Sequence, residues 1–443
     1  MAVAGATGAQ TSDRIAWGWT IAAFVSSVLA LLQYFGAAAA LHPVVASADI
    51  GEAYGNLRQR NQFATLSSLG LLSVLWLSRS GRWPYALLCI CCLAAANAAS
   101  GSRIGLLQWI VVTVAVACWP GPDRKRWLGW SVVALAAYVV AALVLPGLLE
   151  WFTGQKGLNV FSRILAGPSC GTRSVMWPNV VELIAQHPWT GWGWGELDYA
   201  HYGHAYGGQR FCDILDNAHN LPLHLAVELG VPAALVACGL ALWALLKGRP
   251  WAETDASRRI AWLAIAVLLL HSMVEYPLWY GPFQMALGLA LGLLWRPRGT
   301  AAAGPSMVLR SGFAILASVA LVYAAWDYRR ISQLYVASEQ RLPAYAEDTL
   351  GKARASWLFR DQVRFAELSI TPVTRENAPQ MLALASQMLH FSPEPKVVET
   401  LLEAALVLGR EDLLALHLPR FRAAFPEQYE VWMREHGARP AAR

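Results

Sequence analysis

Four stretches of this 443-residue chain carry ionisable or amide side chains where apolar sequence stops or restarts. In Asp216-Asn217-Ala218-His219-Asn220-Leu221-Pro222-Leu223-His224-Leu225-Ala226-Val227-Glu228, His219 and Asn220 head an apolar run, and His224 and Glu228 follow inside it. Ionisable groups at the mouth of a span or inside it are costly, which makes them functional suspects by default. The plain alternative is an interfacial histidine and an internally paired Glu228. In Ser100-Gly101-Ser102-Arg103-Ile104-Gly105, Arg103 interrupts a long apolar run. A guanidinium stays charged and matches phosphate oxygens with parallel donors, although an arginine here can also snorkel to an interface. Gly171-Thr172-Arg173-Ser174-Val175-Met176-Trp177 sets Arg173 and Trp177 four residues apart, on one helix face. His187-Pro188-Trp189-Thr190-Gly191-Trp192-Gly193-Trp194-Gly195 follows; Trp192 and its neighbours suit the apolar faces of sugar rings, and equally an interfacial aromatic belt. The fourth stretch, Tyr54 to Thr65, holds Arg58, Arg60 and Asn61, which suit anionic lipid head groups or a lipid-linked pyrophosphate.

The elements that must position these residues are membrane helices. Apolar residues make up 56% of the chain and charged residues 14%, and stretches of bilayer-spanning length lack charge. Backbone groups in lipid must be satisfied within the segment, which predicts helices, and short alternating strands of a barrel are not seen. Nine spans are expected, at roughly 16–38, 62–79, 83–101, 104–119, 126–149, 220–247, 258–276, 278–297 and 308–327. Residues 1–13 are small and polar, unlike a signal peptide.

Loop charge sets the orientation. Arg79 and Arg82; Arg124, Lys125 and Arg126; Lys247, Arg249, Arg258 and Arg259; and Arg296, Arg298 and Arg310 fall in alternate connections, which the positive-inside rule places in the cytoplasm. Arg58, Arg103, Arg173 and His219 then share the outer face. The net charge of +6 is accounted for by these loops, and no basic stripe with interleaved aromatics points to nucleic acid.

The predicted fold class is therefore all-α, a polytopic helical membrane protein with a long periplasmic loop and a small C-terminal soluble all-helical domain. Residues 1–15 form a cytoplasmic N-terminus, 16–149 five spans, 150–218 the periplasmic loop, 219–327 four spans and 328–443 a periplasmic helical domain. In that last segment Ser392-Pro393 reads as a helix start, and Leu401, Leu402, Ala405 and Leu406 as one apolar face. Cys89, Cys91, Cys92, Cys118 and Cys238 read as membrane-core residues, whereas Cys170 and Cys212 share the outer loop and are a disulfide candidate. No cysteine or histidine spacing suggests a metal site; Asp213 and Asp216 are the remaining, weaker, cation candidates.

At these residues the chain resembles a known group. His219-Asn220 followed after nine residues by Gly230, the Ser102-Arg103-Ile104-Gly105 turn and the Arg173 to Gly195 segment resemble, in order and spacing, the O-antigen ligase and polymerase superfamily. The Gly55 to Thr65 stretch, Ala218 to His224, and His271-Ser272-Met273-Val274-Glu275-Tyr276-Pro277-Leu278-Trp279-Tyr280 look like the bacterial O-linked protein glycosylation ligases, the O-oligosaccharyltransferases. The resemblance covers most of residues 15–330. Members carry further spans ahead of the region matching Ala22 to Gly36.

The resemblance implies an inner-membrane enzyme whose site faces the periplasm. Its donor would be an undecaprenyl-pyrophosphate-linked oligosaccharide and its acceptor a Ser or Thr of a periplasmic, pilin-like protein. His219 would be the base. Arg103 and Arg173 would stabilise the pyrophosphate leaving group, with Arg58 as a third cation. Arg60, Asn61, Asn220, His224, Trp192, Tyr276 and Tyr280 would bind substrate. Attack opposite the leaving group would invert the anomeric centre, and neither cofactor nor metal is required. An O-antigen ligase acting on lipid A-core, or a polymerase, would differ only in acceptor. A lipid-linked glycan transporter would need ionisable residues near the bilayer midplane, whereas here, Glu228 apart, they gather at the outer mouth.

Overall fold

The computed structural model of the protein describes residues 8–42, 44–81, 83–156, 170–295 and 307–436. Arg82, Arg296, Arg298 and the side chain of Arg310, and part of the expected outer loop (157–169), lie outside the described residues. The described residues contain helices and turns and no strand. Among the described residues, in chain order, the first twelve α-helices are α1 (Gly8–Tyr34), α2 (Arg60–Leu77), α3 (Trp83–Ala99), α4 (Arg103–Cys118), α5 (Arg124–Thr153), α6 (Arg173–Gln186), α7 (Leu197–Gly203), α8 (Leu221–Leu229), α9 (Val231–Gly248), α10 (Ala256–Ser272), α11 (Gly281–Trp295) and α12 (Met307–Ser332). Seven more follow: α13 (Pro343–Ala346), α14 (Thr349–Ala353), α15 (Arg360–Ile370), α16 (Ala378–Met388), α17 (Pro395–Leu408), α18 (Glu411–Ala424) and α19 (Pro426–His436).

Four segments are long and apolar enough to cross a bilayer: Gln10–Tyr34, Arg124–Thr153, Val231–Ala252 and Met307–Tyr335. Pro84–Ala99, Arg103–Cys118 and Gly281–Trp295 are shorter apolar helices. Length and composition thus make this a multi-pass membrane protein. Two of the expected spans, α2 and α10, fall in neither group. The reason is clearest for α2, where every residue from Gln62 to Trp76 is buried, five of them with amide or hydroxyl side chains.

The span expected at 220–247 is not one helix. It breaks at Gly230 into α8 and α9. Gly230 has φ +87°, and a Cβ there would lie 2.3 Å from the Trp189 carbonyl oxygen. The loop before α7 takes the place of the continuing helix: Trp192 N–H donates to the Val227 carbonyl at 2.9 Å and Gly193 N–H to the Glu228 carbonyl at 3.0 Å. These bonds satisfy carbonyls that a helix end leaves open. His224 and Glu228 therefore belong to a short helix ahead of the apolar one.

Contacts divide the chain into two units. The first comprises Met1–Gly167, His219–Leu221 and Gly239–Arg310. Its core is built on α2, which packs against α1, α3, α4 and α10; Phe63, Leu71, Leu75, Ile90, Trp109 and Tyr138 are fully enclosed.

The second unit comprises Pro168–Ala218, Pro222–Cys238 and Ser311–Arg443. One of its cores joins α6, α7 and α8 through Met176, Val180, Leu183, Leu197 and Val227. A second joins Tyr202 of α7 to Leu368, Met381, Leu401, Phe421 and Trp432 of the C-terminal helices. Tyr202 OH and His417 Nδ1 are 3.0 Å apart, and the two rings stack at 15°. His390 packs on Tyr199 and meets Glu196 at 2.7 Å. The segment before His219 and the C-terminal helices thus form one body. Within it α17 starts at Pro395, not Pro393, with Glu394 as its extended N-cap. Leu401, Leu402 and Ala405 are buried as expected, but Leu406 is 43% exposed.

Cys170 and Cys212 are bonded, with Cα atoms 5.4 Å apart across a sequence separation of 42. Non-reducing digestion is expected to recover the two cysteines in one linked peptide pair. The double change Cys170→Ser, Cys212→Ser should lower the thermal midpoint, corresponding to about 2–4 kcal/mol. Burial pushes the His417 imidazole down to about 4. The unfolded chain then takes up a proton near pH 6.5 that the folded unit refuses, so this contribution to stability is present above that pH and is lost as pH falls toward 4. His417→Gln keeps a partner for Tyr202 without the titration. The drop in unfolding temperature between pH 7 and pH 5 should be smaller in this variant than in the parent protein.

Candidate active site

The first unit joins His219 to residues far away in sequence. Ser102 is the extended N-cap of α4, its hydroxyl accepting from Gly105 N–H. The same hydroxyl donates to Asn61 Oδ1 at 2.7 Å. Asn61, in the first turn of α2, donates from Nδ2 to Glu275 Oε1 at 3.0 Å. The other carboxylate oxygen of Glu275 lies 3.0 Å from His219 Nδ1. Glu275 is held in turn by its own backbone, whose N–H donates to the His271 carbonyl at the end of α10. The result is a hydrogen-bonded chain, Ser102–Asn61–Glu275–His219, drawn from three helix ends and one turn.

This arrangement has a chemical consequence. Donation from Nδ1–H to a carboxylate fixes the imidazole tautomer and places the lone pair on Nε2. The Glu275 side chain is 7% exposed and that of His219 25%, so the pair is shielded on the carboxylate side and open on the imidazole side. His219 has φ +49°, a left-handed conformation uncommon for a side-chain-bearing residue, and such outliers concentrate at functional sites. Sequence reasoning singled out His219 and Asn61 but gave Glu275 and Ser102 no role. The signal for both was present, since each lies in a stretch already quoted, at the end of an apolar segment.

Other expected residues gather at the same chain. Tyr276 meets His219 edge to face at 4.8 Å, and Tyr280 lies 5.8 Å from Tyr276. Asn220 donates from Nδ2 to the Met273 carbonyl at 3.0 Å, which ties the segment bearing His219 to the turn bearing Glu275. Arg103 follows Ser102 directly and is exposed at the N-terminus of α4, where the helix dipole adds to its charge. Arg58 is exposed with φ +58°, and Arg60 pairs with Glu52 at 3.3 Å. The Arg60 contact is a half-exposed ion pair, of the kind that contributes little to stability.

Arg173, Trp192 and His224 belong to the second unit. Arg173 is the first residue of α6 and half-buried, and Trp177, one turn on, donates from its indole to the carbonyl of Ala218 at 3.1 Å. Trp192 packs against the α6–α8 core and donates to the Leu183 carbonyl at 3.0 Å, so its role in the fold is to fix the loop. Its neighbours Trp189 and Trp194 are the exposed ones, at 78% and 62%. His224 is buried, with Nε2 3.5 Å from Glu228. Among the described residues, no three or more His, Cys, Asp or Glu side chains group as a metal site would require.

Comparison with known proteins draws on the same segments. Residues 53–77 match the family described as protein glycosylation ligase, residues 86–238 that described as O-antigen ligase, and residues 260–438 the C-terminal part of the virulence factor membrane-bound polymerases. The chain is similar to the general O-oligosaccharyltransferase of Acinetobacter baylyi, with 25% identity over 79% of this chain and 62% of the relative. It is similar to the ComP-specific O-oligosaccharyltransferase of the same organism, with 23% identity over 63% of this chain and 50% of the relative. Similarity to the O-antigen ligase of Pseudomonas aeruginosa is 25% identity over 71% of this chain and 65% of the relative. The matched region therefore spans less than two thirds of each of these relatives. No solved structure matches the chain. Asn61, Ser102, His219 and Glu275 all fall inside these matched segments, and the chain carries regions similar to the O-antigen ligase and protein glycosylation ligase families.

Proposed function

We propose that this protein is a glycosyltransferase that moves an oligosaccharide en bloc from undecaprenyl pyrophosphate to a Ser or Thr hydroxyl of a periplasmic protein such as a pilin. It would act at the periplasmic face of the inner membrane. The observation that carries this reading is the Ser102–Asn61–Glu275–His219 chain, which prepares a histidine to accept a proton. The names of two relatives, both O-oligosaccharyltransferases, support the reaction class.

In this mechanism the acceptor hydroxyl gives its proton to His219 Nε2 as its oxygen forms a bond to the anomeric carbon. The bond from that carbon to the pyrophosphate oxygen breaks on the opposite face, inverting the centre. Glu275 stabilises the imidazolium that results. Arg103 and the N-terminus of α4 meet the departing pyrophosphate, where fixed positive charge is most effective in the transition state. Arg58 offers a further cation, and Arg173 is the anion-binding candidate of the second unit. The Tyr276 and Tyr280 rings suit the apolar face of a sugar. The mechanism calls on no metal ion.

A second reading keeps this chemistry and changes the acceptor to lipid A-core. The match of residues 86–238 to the O-antigen ligase family and the similarity to the Pseudomonas aeruginosa ligase favour it.

The test is glycan transfer by the purified protein from a lipid-linked oligosaccharide, with a pilin-like protein and lipid A-core offered side by side. Transfer to the protein is expected. His219→Ala should lower kcat by about 10²–10⁴-fold. Glu275→Gln, which keeps the shape and removes the charge, should lower it by at least about tenfold. Arg103→Ala should cost about 10²–10³-fold in kcat, with a smaller effect on acceptor KM. Transfer to lipid A-core alone would move the assignment to the second reading. Full activity in His219→Ala would refute the proposed base.

A further inference from the structure

Beneath the hydrogen-bonded chain at His219 lies a second polar layer, made by the same three helices. Thr65 stands on α2 four residues after Asn61, His271 on α10 four residues before Glu275, and Gln108 on α4 six residues after Ser102. Thr65 Oγ1 is 2.8 Å from His271 Nδ1, and Gln108 Nε2 donates to the same hydroxyl at 2.8 Å. Gln108 also donates to the Val267 carbonyl of α10 at 3.1 Å and accepts from Ser68 Oγ of α2 at 2.7 Å. Thr65, Ser68, Gln108 and His271 are all fully buried.

Apolar side chains would fill this space at less cost, because buried polar groups are tolerated only when hydrogen-bonded. What a connected polar layer adds is register. Sliding or turning any one of α2, α4 or α10 would break several of these bonds together. Between the two layers the helices already touch: a Cβ on Gly105 would lie 2.3 Å from Asn97 Oδ1 and 2.8 Å from the Ala64 methyl. His271 serves both layers, since its carbonyl accepts the N–H of Val274 at 3.0 Å and that of Glu275 at 2.9 Å. The lower layer thus fixes the helix ends that carry Asn61, Ser102 and Glu275.

We propose that Thr65, Gln108 and His271 are positioning residues for the transfer reaction, a buried brace that sets where Glu275 stands and thereby aims His219. The proposal rests on the role of His219 given above, and its test separates the two. The first readout does not involve transfer. Full-length protein in detergent is treated with diethyl pyrocarbonate, and the modification rate of His219 is followed by peptide mass spectrometry, with Glu275→Gln as the reference for an unaimed histidine. Thr65→Val, which is isosteric, and His271→Phe should move that rate at least about half of the way to the Glu275→Gln value. The second readout is kcat, expected to fall by about 10–100-fold with donor KM within about twofold, as for a misplaced catalytic group. His271→Asn, which restores a hydrogen-bonding atom near the Nδ1 position, should recover most of both. If Thr65→Val and His271→Phe leave the modification rate at the parent value while Glu275→Gln shifts it, the brace is refuted. It is also refuted if His271→Asn recovers nothing. Should His271→Phe fail to fold, Thr65→Val carries the test. If the modification rates shift as expected in a protein that transfers to no acceptor, the brace stands and the proposed reaction falls.

Discussion

A carboxylate taken out of water must be met by donors, and the first unit is arranged around that requirement at Glu275. One oxygen receives the Asn61 amide and the other faces the His219 imidazole. Losing either partner would leave a buried charge partly unsatisfied, which typically costs more than an exposed contact ever returns. The turn after α10, the first turn of α2 and the segment before α8 are therefore bound to one another by chemistry as well as by packing. Ser102 extends the same logic to α4, because its hydroxyl both caps the helix and orients Asn61.

Much of this was legible in the sequence, and the unread part has a physical reason. His219 and Arg103 stood out because ionisable groups are rare where apolar sequence begins. Glu275 did not, because an acidic residue in a turn between two apolar helices reads as ordinary solvation. Its bond to Asn61 spans 214 positions, and a pairing at that distance leaves no local trace. Trp192 was grouped with the sugar-binding aromatics on composition alone. Only the fold distinguishes an indole donating to the Leu183 carbonyl from the exposed rings of Trp189 and Trp194. At Gly230-Val231-Pro232 the break between α8 and α9 was written in residues that favour helix ends, but the apolar composition on both sides masked it.

The second unit follows a different rule. Its cores mix a segment from the middle of the chain with helices from the end, so Tyr202 is as much a residue of the C-terminal array as Phe421. In the order of the chain the expected outer loop and the expected helical domain are far apart, and whether they pack together was open. Their described residues pack in one unit, pinned by the Tyr202–His417 and Glu196–His390 contacts and stapled internally by Cys170–Cys212.

The enclosure of α2 from Gln62 to Trp76 bears on how such a chain enters a bilayer. Gln62, Thr65, Ser67, Ser68 and Ser73 face protein on every side, so lipid never selects the sequence of this helix. Insertion machinery, by contrast, meets each segment as it leaves the ribosome and weighs it against hydrocarbon. On that scale α2 is a poor candidate alone, while α1, directly ahead of it, is a strong one. On composition α2 relies on packing against its neighbours, and the helix that carries Asn61 and Thr65 is one of the two expected spans outside both groups of apolar helices.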